Sequence, residues 1–217
     1  MKFLRRKRDG ERQTRVSLIA KSLFFALAVP FFAAAQDSYI LPKEAEWKPV
    51  TSEQRWKIYR DKTYSSPGAY FRSFGAAAGD QLNKQPPSWP QGLEGYSRRV
   101  GQRFVTFTLQ DSAEAALSGA IGYDPRYVRC KCEGAGRRLG HAIQMNFLTF
   151  DHNGKKVVDW PKFAGAYGAG LLSTTWVKDY KWSAQGIQAG NSQIYFGVVL
   201  NIVREFGPEL KRVFKRK

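Results

Sequence analysis

Apolar residues recur at helical spacing along most of the chain after residue 50, and they predict a series of amphipathic helices. Thr51-Ser52-Glu53-Gln54 has the form of a capping box and marks the start of a first helix. A second start follows at Ser66-Pro67, where a capping residue precedes a proline whose φ already suits a helix. The apolar residues of this second helix recur every four positions: Tyr70, Phe74, Ala78 and Leu82.

The clearest helical pattern begins at Leu93, where apolar residues step by three and four while arginines and glutamines occupy the other positions. Three prolines within residues 85–90 separate it from the preceding helix and predict a stiff connector. Asp111 and Glu114 have the spacing of a helix cap. We therefore expect a break at Asp111 and a short helix to Ala120, with one long helix as the alternative.

Residues 122–136 have the composition of a loop, and the spacing from Leu139 to Phe150 fits both a helix and a strand. Asn153-Gly154 is a typical hairpin turn. A small β-hairpin near residues 148–158 is therefore expected, and two strands of this length need helices to pack against.

Two uncharged segments, residues 163–177 and 182–203, dominate the last third of the chain. Gly186 and Gly190 lie one helical turn apart, a spacing that lets two helix backbones approach closely. We favour a buried hairpin of a soluble domain over a membrane-embedded one, because the second segment carries several amides and hydroxyls. Gly207-Pro208 is expected to end its helix.

Together these patterns predict an all-α, or nearly all-α, fold of five to seven helices in one domain over residues 51–217. The chain has 15 Phe, 10 Tyr and 6 Trp residues, so its core can be large.

The first 35 residues have the three parts of a secretory signal peptide: a basic start, an apolar run over residues 22–32, and the small residues Ala33-Ala34-Ala35. The uncharged stretch is 14 residues long, whereas a membrane-spanning helix needs roughly 20. Cleavage is therefore favoured over a retained anchor. We expect an exported protein, periplasmic or associated with the outer membrane, in which residues 36–50 form an extended lead-in.

The chain that remains after cleavage is strongly basic. The first 35 residues contain 8 of the 35 basic residues and 2 of the 18 acidic ones, which leaves a formal charge of +11. Outside the cytoplasm nucleic acid is not an expected partner, and the available polyanions are anionic lipid, lipopolysaccharide and wall polymer. A basic surface without a partner is the alternative. The last residues form a basic tail: Lys211, Arg212, Lys215, Arg216 and Lys217.

Cys130 and Cys132 are the two cysteines of the chain. In an oxidising compartment they can form a disulfide, while free thiols or an inert pair are the alternatives. A redox role is not favoured, because no Cys-x-x-Cys motif is present. We expect no metal site, since the spacing to His141 and His152 matches no Cys/His zinc site.

One polar cluster stands out among the candidate functional residues. It consists of Asp124, Arg126 and Tyr127, with His141 nearby in the sequence. Such groups can bind a ligand or supply an acid, but a turn, an ion pair and a core anchor explain them more simply. The motifs of serine hydrolases, zinc proteases and phosphate-binding loops are missing from the sequence, which favours a non-catalytic protein without a cofactor.

Four short motifs occur in order along residues 51–213: Gln91–Tyr96, Asp124–Tyr127, Phe163–Gly168 and Val203–Glu209. Together they resemble a family of exported proteins without known activity from soil-type Gram-negative bacteria. The resemblance implies export and a shared architecture, and it implies no catalytic residues. The family pattern has an aromatic residue where Gly207 stands, and it does not require the two cysteines.

We therefore expect a non-catalytic helical protein of the cell envelope that associates with anionic components. A membrane-integrated helical hairpin is one alternative. An envelope hydrolase that acts on wall polymers through Asp124 and His141 is the other.

Overall fold

A computed structural model of the chain describes residues 40–41 and 48–215. The helices of this part are α1 (Ser52–Arg60), α2 (Pro67–Leu82), α3 (Leu93–Ile121), α4 (Ala135–Gln144), α5 (Trp160–Ser173) and α6 (Ile187–Lys215). A π-helical turn follows α1 at Asp61–Ser65, and another precedes α6 at Trp182–Gly186. The expected nearly all-α fold is confirmed. The predicted signal peptide and most of the lead-in lie outside the described residues.

Four short strands accompany the helices in the described residues. The first strand, β1 (Ile40–Leu41), pairs in parallel with β2 (Tyr127–Val128). The other two, β3 (Leu148–Phe150) and β4 (Lys156–Val158), form an antiparallel hairpin in which Leu148 lies opposite Val158. The predicted hairpin is confirmed. The ambiguous segment is thus helical as far as Gln144 and extended from Leu148.

Helix α3 lies between α2 and α5, and α6 packs against α5 and α4. Both predicted helix starts are confirmed. The Thr51 hydroxyl accepts a hydrogen bond from Gln54 N at 3.2 Å, while Gln54 Oε1 accepts one from Thr51 N at 3.1 Å. At the second start, Ser66 Oγ accepts from Ala69 N at 3.2 Å.

The second helix is present, but its predicted apolar face is not the buried one. The buried stripe consists of Ala69, Ser73 and Ala77, one position away from the aromatic stripe. Small side chains on this face let α2 and α3 approach closely. The ring of Tyr70 instead stacks on Phe104 at 5.9 Å, at the margin of this contact.

Helix α3 is continuous for 29 residues, so the expected break at Asp111 is wrong. Asp111 does not cap a helix, because side chains from other elements occupy its carboxylate. Arg72 donates to both of its oxygens, and Lys62 Nζ lies 3.3 Å from Oδ1.

Arg99, on the face of α3 expected to be polar, is fully buried. Its guanidinium donates to Gln85 O at 2.5 Å and to Pro90 O at 2.9 Å, and it also reaches the carbonyls of Pro86 and Trp89 at 3.4 Å. The proline-rich connector thus wraps around one side chain of the following helix, which donates to four of its carbonyls. Within the connector, Trp89 N also donates to Pro86 O at 3.1 Å.

Helices α5 and α6 cross at glycines, as predicted from their spacing. A Cβ atom on Gly170 would lie 2.5 Å from Gly186 O and 3.1 Å from Gly190 N, so the two backbones touch there. Among the described residues, no helix is both long enough and apolar enough to cross a membrane.

Helix α6 continues through Gly207-Pro208, so the expected helix end is wrong. Pro208 has no N–H to donate to the carbonyl of Arg204, four residues earlier. Arg129 Nε donates to that oxygen instead, at 3.0 Å. A Cβ atom on Gly207 would lie 3.5 Å from Arg129 Nη2, at ordinary contact distance, so the guanidinium lies directly beside this residue.

Aromatic residues do not dominate the core. Among the described residues the buried apolar side chains are mostly small, and six of them are alanines: Ala69, Ala77, Ala142, Ala166, Ala169 and Ala189. Many large aromatic side chains are instead at least 40% exposed: Trp56, Tyr64, Tyr70, Phe74, Phe147, Trp160, Trp176, Trp182 and Tyr195. Close helix packing excludes them from the centre, which leaves room there for polar groups.

Candidate functional site

Charged side chains from most of the helices meet around a partly open cavity of about 100 Å³, here named the polar chamber. Five cationic residues and four carboxylates line it, so the lining carries a formal charge of +1. The charged lining residues are Lys62, Arg72, Asp111, Glu114, Asp124, Arg126, Asp159, Lys162 and Arg204.

Asp111 is the most buried carboxylate of the chamber, at 1% exposure. Burial alone would raise its pKa, but the charges of Arg72 and Lys62 outweigh burial and hold the pKa below its ordinary value. Lys62 also donates to both oxygens of Glu114 at 3.0 Å. Although burial opposes the charged form, the carboxylates of Glu114 and Asp111 raise the pKa of Lys62. These side chains therefore form a charged network that joins α2, α3 and the turn after α1.

Asp159 and Lys162 form the chamber wall at the start of α5. Asp159 caps this helix by accepting from Lys162 N at 3.3 Å. Burial raises the pKa of Asp159 to about 6, and the negative charge of Glu114 acts in the same direction. Burial also lowers the pKa of Lys162 to about 8, despite the opposing charge of Asp159. Lys162 Nζ donates to the carbonyl and side-chain oxygens of Asn146 at 3.0 and 2.7 Å.

Three residues around the chamber have buried polar atoms without a hydrogen-bond partner among the described residues: Arg72 Nε, Gln110 Oε1, and both Oε1 and Nε2 of Gln193. Gln110 is 8% exposed and Gln193 is 7% exposed. A buried polar group without a partner costs about 1–3 kcal/mol, so such groups indicate a place where a bound molecule completes the hydrogen bonding.

A larger space, here named the apolar cavity, lies between α2, α3 and α6 and has a volume of about 850 Å³. Its walls are mostly apolar, with Phe71, Phe107, Val199 and Val203 among them. The guanidinium of Arg72 lies 4.7 Å above the ring of Phe107, at the boundary with the polar chamber. Arg72 and Phe107 therefore belong to the walls of both spaces.

The structure brings three residues of the predicted polar cluster, Asp124, Arg126 and Tyr127, to the chamber wall, and the cluster has two halves. Asp124 and Arg126 form an ion pair on the chamber wall, with Arg126 Nη2 2.6 Å from Asp124 Oδ2. Arg126 Nη2 also donates to Lys48 O at 2.5 Å. Thr149 Oγ1 donates to Asp124 O at 2.7 Å. This half of the cluster thus ties the β2 loop to the lead-in and to the hairpin.

Tyr127 and His141 form the other half, with their rings 6.2 Å apart, and Tyr127 also lines the chamber. Tyr127 donates to Glu205 Oε2 at 2.8 Å, and His141 Nε2 lies 2.8 Å from Val128 O. Burial and the hydrogen bond to Glu205 raise the pKa of Tyr127.

Glu205 is 1% exposed and was missed by the sequence analysis. It also accepts from Cys130 N at 3.3 Å and from Arg138 Nε at 3.3 Å. A signal for it exists in the sequence, because Glu205 is the first acidic residue after a long uncharged segment.

Cys130 and Cys132 are joined by a disulfide, with their Cα atoms 5.1 Å apart. Within the described residues, no three His, Cys, Asp or Glu side chains are grouped closely enough to hold a metal ion. In the basic tail, Lys211, Arg212 and Lys215 lie on α6 and Arg212 is exposed, whereas Arg216 and Lys217 lie outside the described part of the chain.

Exposed tryptophans and lysines gather at the end of the molecule where the α2–α3 connector meets the α5–α6 turn. Ser88 N donates to Asp179 Oδ2 at 2.9 Å, which joins the two loops. We name this surface the tryptophan-lysine end. Its exposed residues are Leu82, Lys84, Leu93, Trp176, Lys178, Lys181, Trp182 and Ile187.

The α5–α6 turn presents these side chains because Val177, 1% exposed, anchors it in the protein. Trp176 and Lys178, on either side of that anchor, therefore point outward. Sequence analysis missed this surface, since it described the residues on either side of this turn only as two uncharged segments.

Comparison with known proteins found no match to this chain. No family model matches the chain, and no curated protein or solved structure matches it either. The resemblance to an exported family therefore stays a prediction.

Proposed function

We propose that the processed chain is a non-catalytic protein of the bacterial cell envelope that binds anionic membrane surfaces through its tryptophan-lysine end. The observation that carries the proposal is the exposure of Trp176 and Trp182, at 42% and 69%, directly beside exposed Lys178 and Lys181. Tryptophan favours the membrane interface because its ring is apolar and its N–H is polar.

The charges of this end suit an anionic surface. Each lysine near such a membrane contributes about 1 kcal/mol of attraction. The acidic groups nearby are engaged within the protein: Glu94 pairs with Arg98 at 2.8 Å, and Asp179 accepts from Ser88. Lys84, Lys178 and Lys181 therefore dominate the potential of this surface.

The predicted export and the charge of +11 support the same proposal. An exported chain meets phospholipid at the inner and outer membranes, and a basic protein is attracted to its anionic headgroups. We place the protein in the periplasm or at the outer membrane.

Co-sedimentation with vesicles tests the proposal. The processed protein is expected to pellet with phosphatidylglycerol vesicles, to remain soluble with phosphatidylcholine vesicles, and to be released by 1 M salt, at which the Debye length is only about 3 Å. Pelleting that is equal on both lipids and insensitive to salt would contradict the electrostatic part of the proposal. Preferential binding to lipopolysaccharide or wall polymer would contradict the choice of lipid.

Charge reversal locates the binding surface. The double variant K178E/K181E is expected to weaken vesicle binding by at least about tenfold, from the loss of about 1 kcal/mol per lysine. The matched control is K155E/K156E, which makes the same change at exposed lysines of the hairpin. Equal losses in the two variants would show that net charge, and not this surface, determines binding.

Tryptophan substitution provides a second comparison. W176S/W182S is expected to retain the salt sensitivity of binding and to weaken it, because the apolar contact with the interface is lost. The control is W56S/W160S, which alters side chains with 63% and 64% exposure at other places. Weaker binding in the control than in the test variant would refute the assignment.

A further inference from the structure

The apolar cavity and the polar chamber share a wall, and that wall holds unpartnered groups. Five residues line both spaces: Arg72, Phe107, Gln193, Phe196 and Leu200. A molecule in the apolar cavity would thus meet Arg72 and Gln193 where the two spaces join. The volume of about 850 Å³ lies within the range of about 300–1,000 Å³ that is usual for small-ligand sites.

We propose that the apolar cavity binds a single-chain fatty acid. The carboxylate accepts hydrogen bonds from Arg72 and Gln193, and the alkyl chain lies against Ala76, Gly79 and Ala189. This proposal goes beyond the membrane association proposed above and does not depend on it.

The free donors favour a carboxylate head. Arg72 Nε and Gln193 Nε2 are buried N–H groups without a partner among the described residues, and an ionised carboxylate offers only acceptors. Hydrogen bonds to a charged acceptor are about twice as strong as neutral ones. The guanidinium of Arg72 is held in place by Asp111 and by the ring of Phe107, so little ordering is needed on binding. The charge of +1 on the chamber lining also accommodates one added anion.

The far end of the apolar cavity provides a route of entry. Its lining continues to Asn83, Gln85, Tyr180 and Gln185, which belong to the two loops of the tryptophan-lysine end and the turn before α6. A fatty acid in a membrane beneath this end would enter with its chain parallel to α2 and α6.

Calorimetric titration of the delipidated protein without vesicles tests the proposal. The probes share one chain length: myristate, tetradecanol and tetradecyltrimethylammonium, each below its micelle concentration. We expect saturable binding of one myristate per protein, at least about tenfold tighter than binding of either other probe. Absence of saturable myristate binding would overturn the proposal, and equal binding of all three would overturn the carboxylate assignment.

Filling the cavity is the first variant test. Gly79 lines the cavity, and a Cβ atom there meets nothing within 4 Å, so G79L adds a side chain without displacing the backbone. Its matched control is G101L, an exposed position on α3 that also has open space. Each change removes a helix-interior glycine, which favours folding in both. We expect G79L to weaken myristate binding at least tenfold and G101L to leave it unchanged, whereas equal affinities would overturn the assignment.

The second variant test removes the Gln193 side-chain amide, which is one of the proposed donors to the carboxylate. Q193L is expected to weaken myristate binding by about tenfold and to alter tetradecanol binding much less, because its donor is matched to a charged acceptor. Unchanged myristate binding would show that Gln193 does not donate to the carboxylate. Because G79L leaves the tryptophan-lysine end intact, this variant should still pellet with phosphatidylglycerol vesicles. Loss of fatty-acid binding and loss of membrane association can therefore be told apart.

Discussion

Asp111, Asp159 and Lys162 show how single charged residues are accommodated in the interior of this protein. Asp111 has opposite charges on two sides, and its pKa is held below the ordinary value. Asp159 is less well compensated, since Glu114 is a second negative charge in the same space and burial raises its pKa to about 6. Lys162 is tied to Asn146 by two hydrogen bonds and keeps a lowered pKa of about 8. The chamber thus combines fully paired charges with partly compensated ones.

The raised pKa of Asp159 predicts a specific pH dependence of stability. Its ordinary pKa is 3.8 and its folded pKa is about 6, so between these values the folded state holds a proton that the unfolded state has released. The contribution of Asp159 to stability is present below pH 4 and is lost as the pH rises through about 6.

The variant D159N retains an acceptor for Lys162 N but cannot ionise. We expect it to be more stable than the wild type at pH 7 by roughly 1–2 kcal/mol, and to lack the decline between pH 4 and 6. Urea unfolding across this pH range measures both effects. A D159N protein that is less stable at pH 7 and keeps the wild-type pH slope would contradict the assignment.

At the scale of helices and strands, close contacts are made possible by residues with little or no side chain, and unpaired carbonyls are satisfied by arginines from elsewhere. Gly170 lets α5 touch α6, while Arg99 donates to carbonyls of the proline-rich connector and Arg129 donates to the carbonyl that Pro208 cannot serve. Both devices depend on tertiary structure, so each helix is stable chiefly because of its neighbours.

The close contact at Gly170 predicts opposite effects at two positions of one helix. G170A is expected to destabilise the protein by about 1–3 kcal/mol, because the new Cβ would meet backbone atoms of α6 and of the turn before it. G168A, on the same helix but with open space around it, is expected to stabilise by about 0.5–1 kcal/mol. Thermal unfolding of both variants compares them. Similar effects at the two positions would show that the helices do not touch there.

Arg129 replaces the backbone donor that Pro208 lacks, and this predicts a coupling between substitutions at the two positions. R129A leaves the Arg204 carbonyl without its donor and should cost about 1–3 kcal/mol. In a P208A background the backbone N–H of residue 208 serves that carbonyl, so the cost of R129A should fall by at least half. Urea unfolding of the four proteins completes a double-mutant cycle. Additive effects would show that Arg129 does not replace the missing backbone donor.

Signals confined to a few consecutive residues predicted local structure well. The capping box at Thr51, the cap at Ser66 and the turn at Asn153-Gly154 each fix geometry within a single turn of chain. The glycine spacing at Gly186 and Gly190 also predicted a close helix contact, because the absence of a side chain is itself the requirement.

Properties that depend on a partner from elsewhere in the chain were not predictable. Periodicity indicated α2 but placed its buried face one residue away, since the smaller stripe meets α3. Asp111 has the sequence of a cap, and only the positions of Arg72 and Lys62 show why α3 continues. Gln193 is one of several amides in an uncharged segment, and its unpaired state is visible only once the helices are assembled.

At the scale of the whole molecule, small buried residues and exposed aromatic ones give an unusual distribution of apolar surface. The interior contains a charged chamber, the space between α2, α3 and α6 is a large apolar cavity, and tryptophans lie at one end. The cavity extends from the chamber to that end. This arrangement suits a protein that rests on a membrane and holds one amphiphile beneath its helices.

Hydrogen exchange with and without phosphatidylglycerol vesicles tests the proposed orientation most directly. Membrane contact through the tryptophan-lysine end predicts slower amide exchange at residues 82–93 and 174–187, and unchanged exchange in the hairpin at residues 148–158. Protection that is strongest in the hairpin, or that is missing from both loops while the protein is vesicle-bound, would contradict it.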